Sequence, residues 1–342
     1  MRVAVVGATG AVGTVMLAKL RERAFPATEI VPFASARSAG RELPGFGVVQ
    51  PLREDTIAGF DLAIFSAGGG TSGEWAPRFV AAGCVVVDNS SRWRREPDVP
   101  LVVSEVNPDA LDGHRGLVAN PNCSTMQLMV VLKPILDRAG IERLIVSTYQ
   151  SVSGTGVKAV DELRAQTRAV LDGRPVEAPD VYPHQIAFNV LGGAGNFAAG
   201  DDYTDEERKL MFETRKILDA PDIGISVTCA RVPVVAAHSE SVNLQTREEI
   251  EPDAVRELLS GSPGLEVVDD PAHHGYPTAL AGAGRDEVLV GRIRRDPSHP
   301  RALNLWVVGD NLLKGAATNA IQIAELLVER GLVRVPERSA AV

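Results

Sequence analysis

The chain is poor in cysteine: among 342 residues there are three, Cys84, Cys123 and Cys229. They cannot all pair and none stands at metal-ligand spacing, which excludes a disulfide scaffold and a cysteine-based metal site. No apolar run approaches the roughly 18 residues needed to cross a bilayer. Positive charge is also short. A formal net charge of −9 argues against broad binding to nucleic acid or to an anionic membrane. The opening "MRVAVVGATG" is a strand running into a glycine turn and not an export signal. Unpaired thiols without such a signal point to a reducing cytoplasm. There is no internal repeat and no low-complexity run.

What is present is an ordinary globular composition, 45% hydrophobic, long enough for about two domains at ~150 residues each. The first third alternates strand-like and helical stretches: "RVAVVGA", "VGTVMLAKLRER", "EIVPFAS", "FDLAIFSAG", "EWAPRFVAAG" and "CVVVDNS". That alternation predicts an α/β fold, a doubly wound parallel sheet. After residue 123 the texture changes to longer strands, among them "ERLIVSTYQSV", "IGISVTCARVPV", "ESVNLQT", "DEVLVGRIRR" and "ALNLWVVGD". These predict a second, α+β domain with a mixed, largely antiparallel sheet. The boundaries expected are 1–122 with 317–342 for the first domain and 123–316 for the second.

The turn "VVGATGAVGTVML" sets Gly7, Gly10 and Gly13 between the first strand and a helix. This is a variant of the dinucleotide fingerprint, where glycine lets backbone approach a pyrophosphate and the helix N-terminus favours the anion. Gly7, Thr9, Gly10, Ala11, Val12 and Gly13 are therefore expected to line a Rossmann-like cofactor site. At the end of the second strand an acidic residue would hold the ribose 2′-hydroxyl of NAD. The sequence has "FASARSAGR" there, with Ser35, Arg37 and Ser38 and no acid, which favours NADP.

In "LVANPNCSTMQL" the turn Asn120-Pro121-Asn122 leads into an apolar, helix-period run. Cys123 thus falls at a helix N-terminus, where the dipole would help a thiol ionise below its free value of about 8.5. A buried structural cysteine is the other reading, and it is the one that suits Cys84 and Cys229 in their strand-like settings. A reactive thiol beside a nicotinamide cofactor implies thioester chemistry on an aldehyde or acyl group, with a histidine to manage protons. Six histidines compete, and local text does not choose among them.

Five stretches do. "GATGAVG", "NPNCST", "STYQSVSGTG", "RVPVVAAHSES" and "GDNLLKGAA" stand in the order seen in the aspartate-β-semialdehyde dehydrogenase family, and the chain resembles that family from about residue 1 to residue 330. The resemblance implies that Cys123 is the acyl-thioester nucleophile, that Gln150 orients the substrate and that His238 is the general acid/base. It implies that Arg231 holds the substrate carboxylate in a forked contact, and that "EERK" supplies Glu206 for the substrate ammonium and Lys209 for phosphate. Arg94 would be the second phosphate contact, with Arg92 the neighbouring alternative. Ser153, Gly154 and Asn311 would lie near the nicotinamide. The implied reaction is NADPH-dependent reductive dephosphorylation of L-aspartyl-4-phosphate to the semialdehyde, in biosynthesis of lysine, threonine, methionine and diaminopimelate. A cytoplasmic homodimer built on the second domain's sheet, with small-molecule partners and no metal, completes the expectation. The nearest rival is N-acetyl-γ-glutamyl-phosphate reductase, whose acetylated substrate has no ammonium and needs no acid such as Glu206. A silent NADP-binding homologue is the non-enzymatic rival, and the joint presence of Cys123, Gln150, Arg231 and His238 speaks against it.

Overall fold

The computed structural model describes residues 1–334; residues 335–342, expected to belong to the first domain, lie outside the described residues. The chain divides into two compact units, Met1–Asn122 with the chain from Ala316, and Cys123–Gly315.

In the first unit, β1 (Arg2–Val6) leads through helix α1 (Ala11–Glu22) to β2 (Glu29–Ala34). A small hairpin, β3 (Glu42–Leu43) and β4 (Gly47–Val48), precedes β5 (Gln50–Pro51). The chain then forms β6 (Leu62–Phe65), α2 (Gly69–Ala81), β7 (Val85–Asp88) and β8 (Leu117–Ala119). The main sheet runs β5-β2-β1-β6-β7-β8, and every pairing in it is parallel. Strand order reverses at β1, so the crevice beyond the C-terminal ends of β1 and β6 is the switch point where such sheets take ligands.

The sheet is covered on both faces, which explains the unbroken apolar runs in its strands. Val3, Val5, Leu62 and Ile64 pack with Met16 and Leu20 of α1 and with Ile321, Ala324 and Leu327 of the returning last helix. Ala4, Val6, Ala63 and Phe65 face the other way, onto Ala76 and Phe79 of α2. Phe79 meets Phe65 and Phe33 edge-on at 5.3 and 6.1 Å, the T-shaped geometry that ring quadrupoles favour. Cys84 lies in this second layer, and burial pushes its thiol up.

The second unit opens with α3 (Cys123–Ala139), then β9 (Ile141–Gln150), α4 (Val157–Leu171), α5 (Asp205–Leu218), β10 (Gly224–Arg231) and β11 (His238–Thr246). It continues through α6 (Pro252–Ser260), β12 (Leu265–Val267), α7 (Ala279–Gly282), β13 (Val288–Arg295) and β14 (Ala302–Gly309). Helix α8 (Thr318–Glu329) is the last helix of the first unit. The sheet order is β10-β9-β11-β14-β13-β12. β10–β9 and β12–β13 are parallel, and the three central pairings are antiparallel.

Register decides what meets at the end of this sheet. Arg231 lies opposite Gln150 at the matched C-terminal ends of β10 and β9. β11 runs the other way, so its first residue, His238, starts at that same end, beside Ser239 paired with Tyr149. Along β9, Leu144, Val146, Thr148 and Gln150 are buried while Tyr149 on the opposite face is partly open and lies 5.4 Å from Trp306. Cys229, within β10, is fully buried, and its thiol is likewise pushed up. Among the described residues no helix is long and apolar enough to cross a membrane, and no cluster of three His, Cys, Asp or Glu could hold a metal ion.

Candidate active site

Cys123 is the first residue of α3, where the helix dipole favours negative charge. Its Sγ lies 3.3 Å from Nε2 of His238. Two residues 115 apart in sequence are brought together because α3 starts at the end of the sheet where β11 also starts. Gly315 approaches Cys123 so closely that a Cβ there would fall 3.0 Å from that of Cys123.

His238 is fully buried. On the side away from the sulfur, its Nδ1 accepts the Ser151 backbone N–H at 3.0 Å, and the Ser151 hydroxyl lies at the same distance. Burial, and then the nearby Arg231 guanidinium, hold the imidazole well below its ordinary value, against a hydrogen bond to the Ala237 backbone that pushes it up. The ring is therefore neutral near pH 7.

Arg231 is 8% exposed. One end of its fork is anchored, with Nη1 donating to the Ser151 carbonyl at 2.8 Å. Its Nε has no hydrogen-bond partner, and no carboxylate among the described residues makes an ion pair with it. Tyr182 stands 6.0 Å from the guanidinium carbon and donates its hydroxyl to Thr155 at 3.0 Å. Gly154 keeps the space open: a Cβ there would lie 3.3 Å from both Arg231 Nη1 and His238 Nε2. A buried, half-satisfied guanidinium is costly without an anion. This one is arranged to receive one.

The rest of the site is a polar chain. Gln150, 1% exposed, donates through Nε2 to Ser124 Oγ at 3.0 Å and to Glu206 Oε1 at 3.3 Å. Lys209 Nζ bonds Glu206 Oε2 at 3.3 Å and Asp205 Oδ2 at 2.7 Å. Burial pulls the Lys209 ammonium down, but the charges of Glu206 and Asp205 outweigh it and hold its pKa above the lysine norm. Helix α5 presents these groups from its first turn, which a capping box secures: Thr204 accepts from the Glu207 N–H at 3.2 Å and Glu207 accepts from the Thr204 N–H at 2.7 Å. Ser153 and Asn311 join each other through Asn311 Nδ2 at 2.9 Å.

Cys123, Gln150, Ser153, Gly154, Glu206, Lys209, Arg231, His238 and Asn311 thus all belong to the second unit. Ser151, Tyr182 and Asp205 were not read from the sequence. Ser151 could have been, since it follows Gln150 directly at the strand's end. Tyr182 reaches Arg231 only through tertiary packing.

The other expected site residues belong to the first unit. Gly7 has φ +85° and a Cβ on it would strike the Ser66 carbonyl oxygen at 2.3 Å; one on Gly13 would strike the Gly7 carbonyl oxygen at 2.1 Å. Gly10 caps α1 without any side-chain bond to the helix, and the first turn carries no acid. This leaves a backbone cradle at a helix start, suited to a pyrophosphate. Ala11 and Val12 open α1, and Thr9 reaches Ser38 at 3.5 Å. Ser35, Arg37 and Ser38 form the turn after β2. Of the two candidate phosphate arginines, Arg92 is paired with Glu96 at 2.8 Å and lies over Trp93. Arg94 is buried and donates to the Asn89 carbonyl at 2.9 Å.

A family model for the semialdehyde dehydrogenase NAD-binding domain matches residues 2–114, and one for the semialdehyde dehydrogenase dimerisation domain matches residues 132–314. The aspartate-semialdehyde dehydrogenase of Aquifex aeolicus is 52% identical over 338 residues, 97% of this chain and 99% of that protein. The chain belongs to the aspartate-semialdehyde dehydrogenase family. It is, in coarse terms, an oxidoreductase of semialdehyde chemistry. Among solved structures, aspartate semialdehyde dehydrogenase II of Vibrio cholerae, in complex with ASA, is similar with a TM-score of 0.91 and 46% identity, covering 96% of this chain and 98% of that one. The Candida albicans enzyme with NADP has a TM-score of 0.73 at 26% identity, covering 97% and 99%.

Proposed function

We propose that the chain converts L-aspartyl-4-phosphate to L-aspartate-4-semialdehyde with NADPH, and the reverse, through an acyl thioester on Cys123. The observation that carries this is the sulfur 3.3 Å from a buried imidazole, in a unit where Arg231 Nε is buried with no hydrogen-bond partner among the described residues and where the Glu206–Lys209 pair offers one charge of each sign. The substrate carries a carboxylate, an ammonium and a phosphate. Arg231 suits the carboxylate, through the planar fork that guanidinium offers. Glu206 suits the ammonium and Lys209 the phosphate, and the bond from Gln150 to Glu206 ties the residue that orients the acyl group to the ammonium anchor. Arg94 remains the candidate for the second phosphate contact, with Arg92 the neighbouring alternative.

The residues of the first unit fit a dinucleotide: the Gly7–Gly13 cradle would be filled by any side chain. Ser35, Arg37 and Ser38, with no acid beside them, favour NADP over NAD, and the Candida albicans relative described with NADP supports the same choice. When bound, the reduced cofactor supplies a hydride to the acyl carbon. The protein's own part is to hold a nucleophilic sulfur, fix three substrate charges and stabilise the carbonyl oxygen. The dimerisation-domain match supports a homodimer, and three cysteines that form no disulfide suit the cytoplasm, where the product would serve amino-acid biosynthesis.

The test is an oxidation assay with the purified protein, varying cofactor and acceptor. Aspartate semialdehyde should be turned over with NADP and phosphate or arsenate together, and poorly with NAD. A preference for N-acetylglutamate semialdehyde, run in parallel, would overturn the substrate.

A further inference from the structure

Arg231 is bordered by a segment that two side chains of α4 hold in place. Glu162 Oε2 accepts the backbone N–H groups of Asp180 and Val181, at 2.6 and 2.8 Å. Gln166 Oε1, about one helical turn further on, accepts those of Ile186 and Ala187, at 2.9 and 3.1 Å. The remaining polar atoms of the two, Glu162 Oε1 and Gln166 Nε2, are buried with no hydrogen-bond partner among the described residues. Burial of that kind is costly, and the bonds that offset it all go to this one segment. The segment's far end is joined to the arginine itself: Leu191 and Arg231 exchange backbone hydrogen bonds at 2.9 and 2.8 Å.

Between the two pins lies Tyr182. Its side chain packs against the cluster that includes Leu163, Ile186 and Leu191, and its hydroxyl donates to Thr155 at 3.0 Å. Thr155 follows Gly154, whose missing side chain keeps the space beside Arg231 open. The ring is thereby fixed at both ends next to that space. Five other arginines among the described residues lie over an aromatic ring at 4.4–4.6 Å. The Arg231 guanidinium stands 6.0 Å from Tyr182. That is too far for the close stacking of the other five, and near enough for the ring to border whatever the guanidinium holds.

We propose that Tyr182 is a specificity residue: its ring walls the Arg231 anion pocket beside the substrate's α-carbon, and Glu162 and Gln166 are the positioning residues that hold the wall. This rests on the reading above, in which Arg231 takes the α-carboxylate. The α-carbon carries that carboxylate, the ammonium and one hydrogen. With the carboxylate in the fork and the ammonium drawn to Glu206, the hydrogen is the substituent left to face the ring. A methyl group in its place meets a ring that cannot retreat, because the chain is pinned on both sides of it and its hydroxyl is tied. One extra carbon in a pocket of fixed shape costs about 10- to 200-fold in kcat/KM.

The test compares kcat/KM for aspartate semialdehyde and for its 2-methyl analogue, with NADP and phosphate and the intact enzyme. The parent should prefer the unbranched aldehyde by roughly tenfold or more. Tyr182→Phe keeps the ring and should keep that ratio within about threefold, whereas Tyr182→Ala should abolish most of it. Tyr182→Val carries the same expectation should the alanine variant fail to fold. Glu162→Ala and Gln166→Ala should each lower the preference, yet change nothing further in a Tyr182→Ala background. Glu162→Gln and Gln166→Glu keep an accepting oxygen and should restore it. A role confined to stability would lower the melting temperature and leave the preference where it was. A parent without preference, a Tyr182→Ala enzyme with the parent's ratio, or pin variants that only melt earlier would each overturn the inference. So would a Tyr182→Phe enzyme as indiscriminate as Tyr182→Ala, since the selectivity would then lie in the hydroxyl. Failure of the underlying function looks different: the parent turns over neither aldehyde, and both readings fall.

Discussion

Replacing Arg231 with lysine keeps the charge and removes the fork. In the structure Nη1 is committed to the Ser151 carbonyl at 2.8 Å, while Nε is buried and has no partner. A bound carboxylate would complete that fork with charge-assisted bonds, each worth about 1.5–3 kcal/mol. A lysine ammonium can meet the carboxylate as a point charge, but it cannot serve the carbonyl and both carboxylate oxygens in one plane. The expected loss is about 2–4 kcal/mol, or roughly 30- to 1,000-fold in kcat/KM at about 1.4 kcal/mol per tenfold. Initial rates with varied aspartate semialdehyde at saturating NADP and phosphate would measure it, and thermal melting would check that the variant is folded. The loss should appear mainly in KM, because the carboxylate is remote from the reacting carbon and is held alike in ground and transition states. The analogue 3-aminopropanal lacks the α-carboxylate and should be nearly indifferent to the change, which closes a double-mutant cycle. An Arg231→Lys enzyme within about threefold of the parent, or equal losses on both aldehydes, would refute the assignment.

Two further outcomes follow from other parts of the molecule. Glu240, two residues beyond His238, is completely buried, and burial holds its carboxyl well above the usual range, with Gln127 only partly offsetting this. A raised folded-state pKa means its contribution to stability is fully present below the unfolded value near 4.5 and is lost as pH rises through the folded value. Urea unfolding should therefore show the parent losing up to about 1.4 kcal/mol per pH unit over that window relative to Glu240→Gln; parallel pH profiles would contradict a neutral buried acid. Gly13→Ala forces a Cβ to 2.1 Å from the Gly7 carbonyl oxygen, so the turn must shift at a cost of about 1–3 kcal/mol. Calorimetric titration should show NADP binding weakened about 5- to 150-fold, and unchanged affinity would remove that turn from the cofactor site.

Much of this was legible in the sequence because the signals are local. A glycine turn between strand and helix, and a cysteine between an Asn-Pro-Asn turn and an apolar run, are each contained in about a dozen residues. The parallel sheet of the first unit was equally readable, since strands buried on both faces advertise themselves as apolar runs. What joins the site was not legible in spacing. Ser151 and His238 are 87 residues apart and meet because β9 and β11 are antiparallel; only the motif order pointed to His238 among six histidines. The approach of Tyr182 to Arg231 depends on tertiary packing and carried no local mark, whereas the pairing of Lys209 with Asp205 is an i,i+4 contact within α5 that the spacing allows. The capping box at "TDEE" did carry one, Thr204 followed three residues later by Glu207, and it would have placed the start of α5.

The account stands or falls on a covalent bond at Cys123. Enzyme mixed with aspartate semialdehyde and NADP, with phosphate withheld, can acylate but has no acceptor to release the acyl group. Rapid acid quench and peptide mass analysis should then find an aspartyl group on the peptide carrying Cys123, formed together with a single stoichiometric burst of NADPH and absent from Cys123→Ser. Continued turnover without that adduct, or a burst that survives the serine substitution, would contradict the mechanism.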